Sequence, residues 1–110
     1  MQSENKEQGA RFNEGKTKWS LVDFDSLEGM VKVLENGQKK YGKDNWKKGL
    51  PVSEATESLL RHVFALLRGE QVDKESGLPH SAHILCNAMF IAYMEKNKPE
   101  LNDTTNGKRI

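Results

Sequence analysis

The chain's three histidines are its side chains best placed to gain and lose a proton near neutral pH, and two of them are close in sequence. His80, His83 and Asn87 stand at i, i+3 and i+7, so on a helix they share one stripe. His62 ends a row of Glu54, Ser58 and His62 at i, i+4 spacing. Beside it Glu57 and Arg61 form a pair in the acid-before-base order that a helix favours. Glu70, Asp73 and Glu75 follow, bracketed by Gly69 and Gly77. A short loop between antiparallel helices would carry these carboxylates towards His80 and His83. Imidazole nitrogen mixed with carboxylate oxygen suits Mn, Fe, Zn or Ni, and an oxygen-rich set suits Mg, so the ion stays open.

Each of these residues also has a plainer role. His80 reads equally as a solvated first-turn residue, His83 as a hydrogen-bonded core histidine, and Asp73 and Glu75 as turn and capping residues. Glu57 with Arg61 reads as a surface ion pair worth about 0–1 kcal/mol. Against these stands the cost of burying an unpaired imidazole or amide, about 1–3 kcal/mol. His62, His83 and Asn87 all border apolar helix faces, so a pocket, an ion or a hydrogen-bond network must partner them.

A second group is basic and aromatic: Lys16, Lys18 and Trp19, then Lys43, Asn45, Trp46, Lys47 and Lys48. Ammonium on phosphate and a ring on a base would grip a nucleotide. Trp19, Tyr41 and Trp46 serve as well as anchors tying loops to a core, and that reading is preferred for at least two of them. The chain carries no Walker A loop, dinucleotide glycine fingerprint, GxSxG or HExxH, which sets those mechanisms aside.

The elements that must position these residues are helical. Leu27, Met30, Val31 and Leu34 recur at helical spacing, predicting a helix from Asp25 or Ser26 to about Lys40, with Asp25 and Glu28 as a capping box. A second begins after Pro51, with Ser53 as N-cap and Glu54 and Glu57 in the first turn, and stops at Gly69. A third starts with Pro79 in its first position and runs to about Lys96. Its apolar residues surround the whole cylinder from Ile84 to Met94, which predicts burial on most sides and therefore a partner subunit. Residues 11–21 read as an extended arm, and residues 1–10 and 97–110 as flexible tails around a single domain, 11–96.

At 110 residues one domain is expected. A net charge of +1 supplies no general attraction for nucleic-acid polymer or anionic membrane. Cys86 is the one cysteine, so no disulfide can form within the chain, and its apolar neighbours suit it to packing. No stretch reaches the roughly 18 apolar residues of a membrane span, and the polar N-terminus has no apolar leader core, so a cytoplasmic location is expected.

The ordered series Arg11-Phe12-Asn13-Glu14-Gly15-Lys16…Trp19-Ser20-Leu21, Lys40-Tyr41-Gly42…Asn45-Trp46…Gly49, Arg61-His62…Gly69-Glu70…Asp73 through His80…His83…Asn87 resembles the phage and bacterial dATP/dGTP diphosphohydrolase N-terminal family, which includes MazZ-like proteins. The likeness spans about residues 11–94. It implies an all-α fold related to the MazG-type nucleotide pyrophosphatases: a small bundle of three main helices with an extended N-terminal arm, completed by oligomerisation as a dimer or tetramer. It also implies divalent-metal-dependent cleavage of a purine nucleoside triphosphate to monophosphate and pyrophosphate, with Mg or Mn as the ion, in phage nucleotide metabolism and hence in host cytoplasm. The chain departs from the MazG acidic pattern, carrying His80 and His83 where ExxD would stand and Glu54 and Glu57 on the preceding helix.

On this reading Asp73, Glu75, His80 and His83 hold the ion. Glu54, His62 and Glu75 assist the attacking water, and Lys16, Trp46, Arg61 and Asn87 contact the nucleotide. Two alternatives remain: a non-catalytic protein that sequesters a nucleotide or defence signal, and an interaction protein whose polar cluster is only a hydrogen-bond network.

Overall fold

The computed structural model describes residues 9–104. Its main elements are α1 (Glu28–Tyr41), α2 (Val52–Leu67) and α3 (His80–Asn97), with short 3-10 turns before α1, between α1 and α2, and after α3. The all-α expectation holds among the described residues, and one isolated bridge, Val72 with Pro79, is the nearest approach to sheet pairing.

α1 starts later than its periodicity predicted. A 3-10 turn, Phe24–Leu27, comes first, and Asp23 rather than Asp25 caps it by accepting from the Ser26 N–H at 3.2 Å and from the Ser26 hydroxyl. The acid two residues earlier wins because its carboxylate reaches the open N–H groups of that turn.

Ser53 does not cap α2 either. The helix begins at Val52 with Ser53 inside its first turn, and Asp103 supplies the cap from fifty residues away. Its Oδ1 accepts from the Ser53 N–H at 2.8 Å, and Oδ2 from the Ser53 hydroxyl at 2.6 Å. The segment after α3, expected to be loose from residue 97, thus docks as far as Thr104, through a 3-10 turn at Pro99–Leu101. Leu101 lies over Gly49, whose φ of +132° suits glycine and where a Cβ would meet Leu101 Cδ1 at 2.7 Å. The outermost tail residues, 1–8 and 105–110, lie outside the described residues.

The core is built from small side chains. Ala55 and Ala65 of α2 and Ala82 and Cys86 of α3 are buried, with Val52 and Met94 buried at the end remote from the α2–α3 loop. Burial pushes the Cys86 thiol up to about 11, which keeps it protonated and apolar in character. α1 crosses α3 where Gly29 faces Ala82; a Cβ on Gly29 would lie 2.8 Å from the Ala82 Cβ. Trp46, in the α1–α2 connector, packs on Phe90 at 4.7 Å and Tyr93 at 4.8 Å, fixing that connector to α3. The anchor reading fits Trp46 but not Trp19 or Tyr41, which are 71% and 67% exposed. Within the single chain α3 keeps exposed apolar surface, Leu85 among it at 36% exposure.

Phe12, Trp19 and Leu21 of the arm are exposed, and residues 19–21 form a 3-10 turn instead of extended chain. The Cα radius of gyration, 18.4 Å, exceeds the roughly 13 Å of a compact chain of about 100 residues.

Candidate functional site

The α2–α3 loop is a small structured hairpin. Gly69, at φ +89°, ends α2, and the Glu70 N–H returns to the Ala65 carbonyl at 3.0 Å, so Glu70 sits directly off the helix end. The loop then pairs with itself: the Asp73 N–H donates to Leu78 O at 2.8 Å, and the His80 N–H to Gln71 O at 3.3 Å. Gly77, at φ +73°, donates its N–H to the Asp73 carbonyl at 2.7 Å. The Asp73 carboxylate accepts from the Ser76 N–H at 2.8 Å, a short side-chain turn that holds it facing the helices.

Against this loop the three histidines converge. His80, 2% exposed, places Nε2 3.0 Å from Glu70 Oε1 and Nδ1 2.8 Å from His62 Nδ1. His62 stacks on His83, ring centres 4.3 Å apart and planes 5° from parallel. His83 Nε2 lies 2.7 Å from the Ser76 hydroxyl and 3.9 Å from Asp73 Oδ2.

Proton positions follow from partner chemistry. The Glu70 carboxylate accepts, so His80 Nε2–H donates. A neutral His80 then has a lone pair on Nδ1, and His62 Nδ1–H must supply the proton between the rings. The chain Glu70, His80, His62 therefore leaves a lone pair on His62 Nε2. Burial and the neighbouring His83 hold His62 below its ordinary 6.5, outweighing the pull of Asp73 in the other direction. Burial likewise lowers His83, helped by His80 and opposed by Asp73 and Glu75. For Asp73 burial acts upwards, but the N–H and hydroxyl of Ser76, with His83 and His62, bring it below the usual carboxylate value. At neutral pH the cluster thus offers neutral His62 and His83 beside an ionised Asp73.

His62, Asp73 and His80 bring one ligand atom each within 4.8 Å of one another. Bonds of roughly 2.1 Å to a shared ion would require these atoms to draw together and the proton between His62 and His80 to leave. Two imidazoles with one carboxylate suit a transition ion such as Mn, Fe or Zn better than Mg.

Beyond His83 lies a cleft of about 380 Å³ whose facing walls differ in charge. Asp73, Glu75, Ser76 and His83 form one side and Lys39 and Lys40, at the end of α1, the other. Val33, Gly37 and Lys40, at i, i+4 and i+7, turn that stripe of α1 towards the loop.

The sequence-predicted residues divide accordingly. Asp73, His62, His80 and His83 come together, and Glu75 lines the lysine cleft as an exposed side chain outside the trio. Asn87 ties the helices, donating from Nδ2 to Ser58 Oγ at 3.2 Å and to the His83 carbonyl at 3.0 Å. Arg61 is exposed beside His62 on α2. Glu54 is exposed two turns, roughly 12 Å, before His62. Lys16 stays in the exposed arm, its N–H on the Asn13 carbonyl at 3.1 Å, and Trp46 packs on α3. Sequence reasoning placed Glu70 among the loop carboxylates but gave it no role, and it missed Ser76, Lys39 and Lys40. The adjacent lysines are visible in the sequence, but cations at a helix C-terminus are common and by themselves point to no ligand.

Residues 6–104 match the family described as "dATP/dGTP diphosphohydrolase, N-terminal". A protein of Salmonella phage PMBT28 named dATP/dGTP diphosphohydrolase is 37% identical over 95 residues, covering 86% of this chain. The chain spans about a third, 32%, of that relative's length. No solved structure gives a significant match.

Proposed function

This chain belongs to the dATP/dGTP diphosphohydrolase N-terminal family, and from that premise we propose that its histidine cluster and lysine cleft hydrolyse a purine deoxynucleoside triphosphate to monophosphate and pyrophosphate. The observation carrying this reading is the juxtaposition of the His62, Asp73 and His80 group with a cleft walled by Lys39 and Lys40. A divalent ion bound at that group, Mn in preference to Mg, would neutralise phosphate oxygens and lower the pKa of water.

The protein's own groups then have distinct tasks. Lys39 and Lys40 bring ammonium charge to the phosphates from the opposite wall and offset the charge growing on the leaving pyrophosphate. Glu70 keeps its proton partner His80 in the tautomer whose Nδ1 carries the lone pair that would face the ion. His83, uncharged at neutral pH and outside the ion-binding trio, is the group placed to take a proton from an attacking water. Ser76 holds Asp73 through its N–H and His83 through its hydroxyl.

A homo-oligomer is part of the proposal. Phe64 and Leu67 of α2, 54% and 76% exposed, support it as apolar surface suited to a second copy.

A second reading, sequestration without turnover, is favoured by the single carboxylate in the trio where an acid-rich set would be expected for pyrophosphate release. Incubating the protein with dATP or dGTP and Mn, and assaying pyrophosphate, separates the two. Pyrophosphate appearing with monophosphate in equal amount supports hydrolysis. Intact, stoichiometric nucleotide recovered after denaturation supports sequestration. Neither turnover nor binding would leave a hydrogen-bond network of purely structural use.

A further inference from the structure

A larger apolar hollow of about 530 Å³ lies on the other side of α1, lined by Leu34, Gln38, Asn45, Trp46, Met89 and Phe90 among others. It shares two wall residues with the lysine cleft, Val33 and Gly37. Gly37 stands inside α1 with no backbone conformation that demands glycine. A glycine there costs roughly 0.5–1 kcal/mol relative to alanine. Packing does not require it either: outside its own helix backbone nothing lies within 4 Å of where its Cβ would be, whereas Gly29 on the same helix is crowded by Ala82. Gly37 thus lines both hollows without filling either.

Along α3, His83 borders one hollow and Phe90 the other. Seven residues of helix separate them by roughly 10 Å, a gap that an extended nucleoside triphosphate bridges. The hollow is apolar with aromatic rings, and Gln38 and Asn45 supply amide donors and acceptors at its edge.

We infer that this hollow is the nucleobase and sugar subsite of the nucleotide whose phosphates lie in the lysine cleft, with Gly37 lining both. The inference rests on the nucleotide reading of the cleft and adds where the base binds and which residues select it. Rings and amide edges recognise a flat heterocycle, and the size admits a purine.

The test measures Mn-dependent binding of dGTP and of inorganic tripolyphosphate to the wild-type protein and to Gln38→Trp, at an exposed position lining this hollow and not the lysine cleft. The indole would fill part of the hollow. The expected result is a loss of about tenfold or more in dGTP affinity, with tripolyphosphate affinity unchanged. Should Gln38→Trp not fold, Asn45→Leu, likewise outside the lysine cleft, takes its place with the same expectation. Unchanged dGTP binding in a folded variant, or equal losses for both ligands, overturns the subsite. So does a wild-type protein that binds dGTP no more tightly than tripolyphosphate, and in that case the phosphate site stands without a base site. A wild-type protein that binds neither ligand sinks the nucleotide reading itself.

Discussion

His62 and His80 face one another through their Nδ1 atoms at 2.8 Å, a distance at which one ring must donate and the other accept. Glu70, accepting from His80 Nε2, decides which. Glu70→Gln removes that decision, because an amide can donate as well as accept. The expected outcome is a loss of about 10–100-fold in Mn affinity, the usual size for an outer partner of a metal-binding histidine. Isothermal titration with Mn checks it, and wild-type affinity in Glu70→Gln would show that the proton chain does not orient the site.

The lowered histidines give a signed pH dependence. Between the ordinary value of 6.5 and their lower folded values, the unfolded chain binds more protons than the folded one. The contribution of His62 and His83 is therefore complete above 6.5 and is lost as pH falls through that window. Asp73, also lowered in the fold, adds a further loss as pH falls below its ordinary 3.8. Denaturant midpoints should thus drop from pH 7 to pH 5, and His83→Gln should flatten that slope; a midpoint independent of pH would contradict the burial assigned to these rings.

Replacing Lys39 and Lys40 together by alanine should leave folding intact, since both are exposed at the end of α1. Losing charge-assisted contacts worth about 1.5–3 kcal/mol each should lower kcat/KM for dGTP by at least about tenfold. If the double variant turns over dGTP like wild type, the lysine wall does not contact the phosphates.

The two helical glycines of α1 should respond oppositely to alanine. Gly29→Ala forces a methyl against Ala82 at the α1–α3 crossing and should cost about 1–3 kcal/mol. Gly37→Ala meets open space and should gain about 0.4–1 kcal/mol. Thermal unfolding of the two variants compares them directly, and equal shifts would refute the crossing geometry.

Asp103→Ala should lower stability by about 1 kcal/mol, the usual value of a helix cap, because it frees both Ser53 groups at the start of α2. Chemical denaturation measures it. A neutral result would mean that the Asp103 cap contributes nothing to the stability of α2.

The helical layout was legible in the sequence wherever a local rule operates. Apolar residues at helical spacing outline α1 and α2, Gly69 ends α2 because its φ of +89° suits no larger residue, and Pro79 immediately precedes α3. The convergence of histidines and acids was equally legible, because a short loop has few ways to place Asp73. The caps were not. Asp103 reaches Ser53 across fifty residues, and nothing in either neighbourhood announces it. Sequence alone thus determined which residue types share a face and where helices stop, since both depend on spacing within a few turns. Tertiary structure decided that His80 would be the buried centre between Glu70 and His62, and that Lys39 and Lys40 would face Asp73 and His83. Those relations arise where separate helices cross, and the crossing is set by packing of small residues such as Gly29 and Ala82, which carries no trace in local pattern.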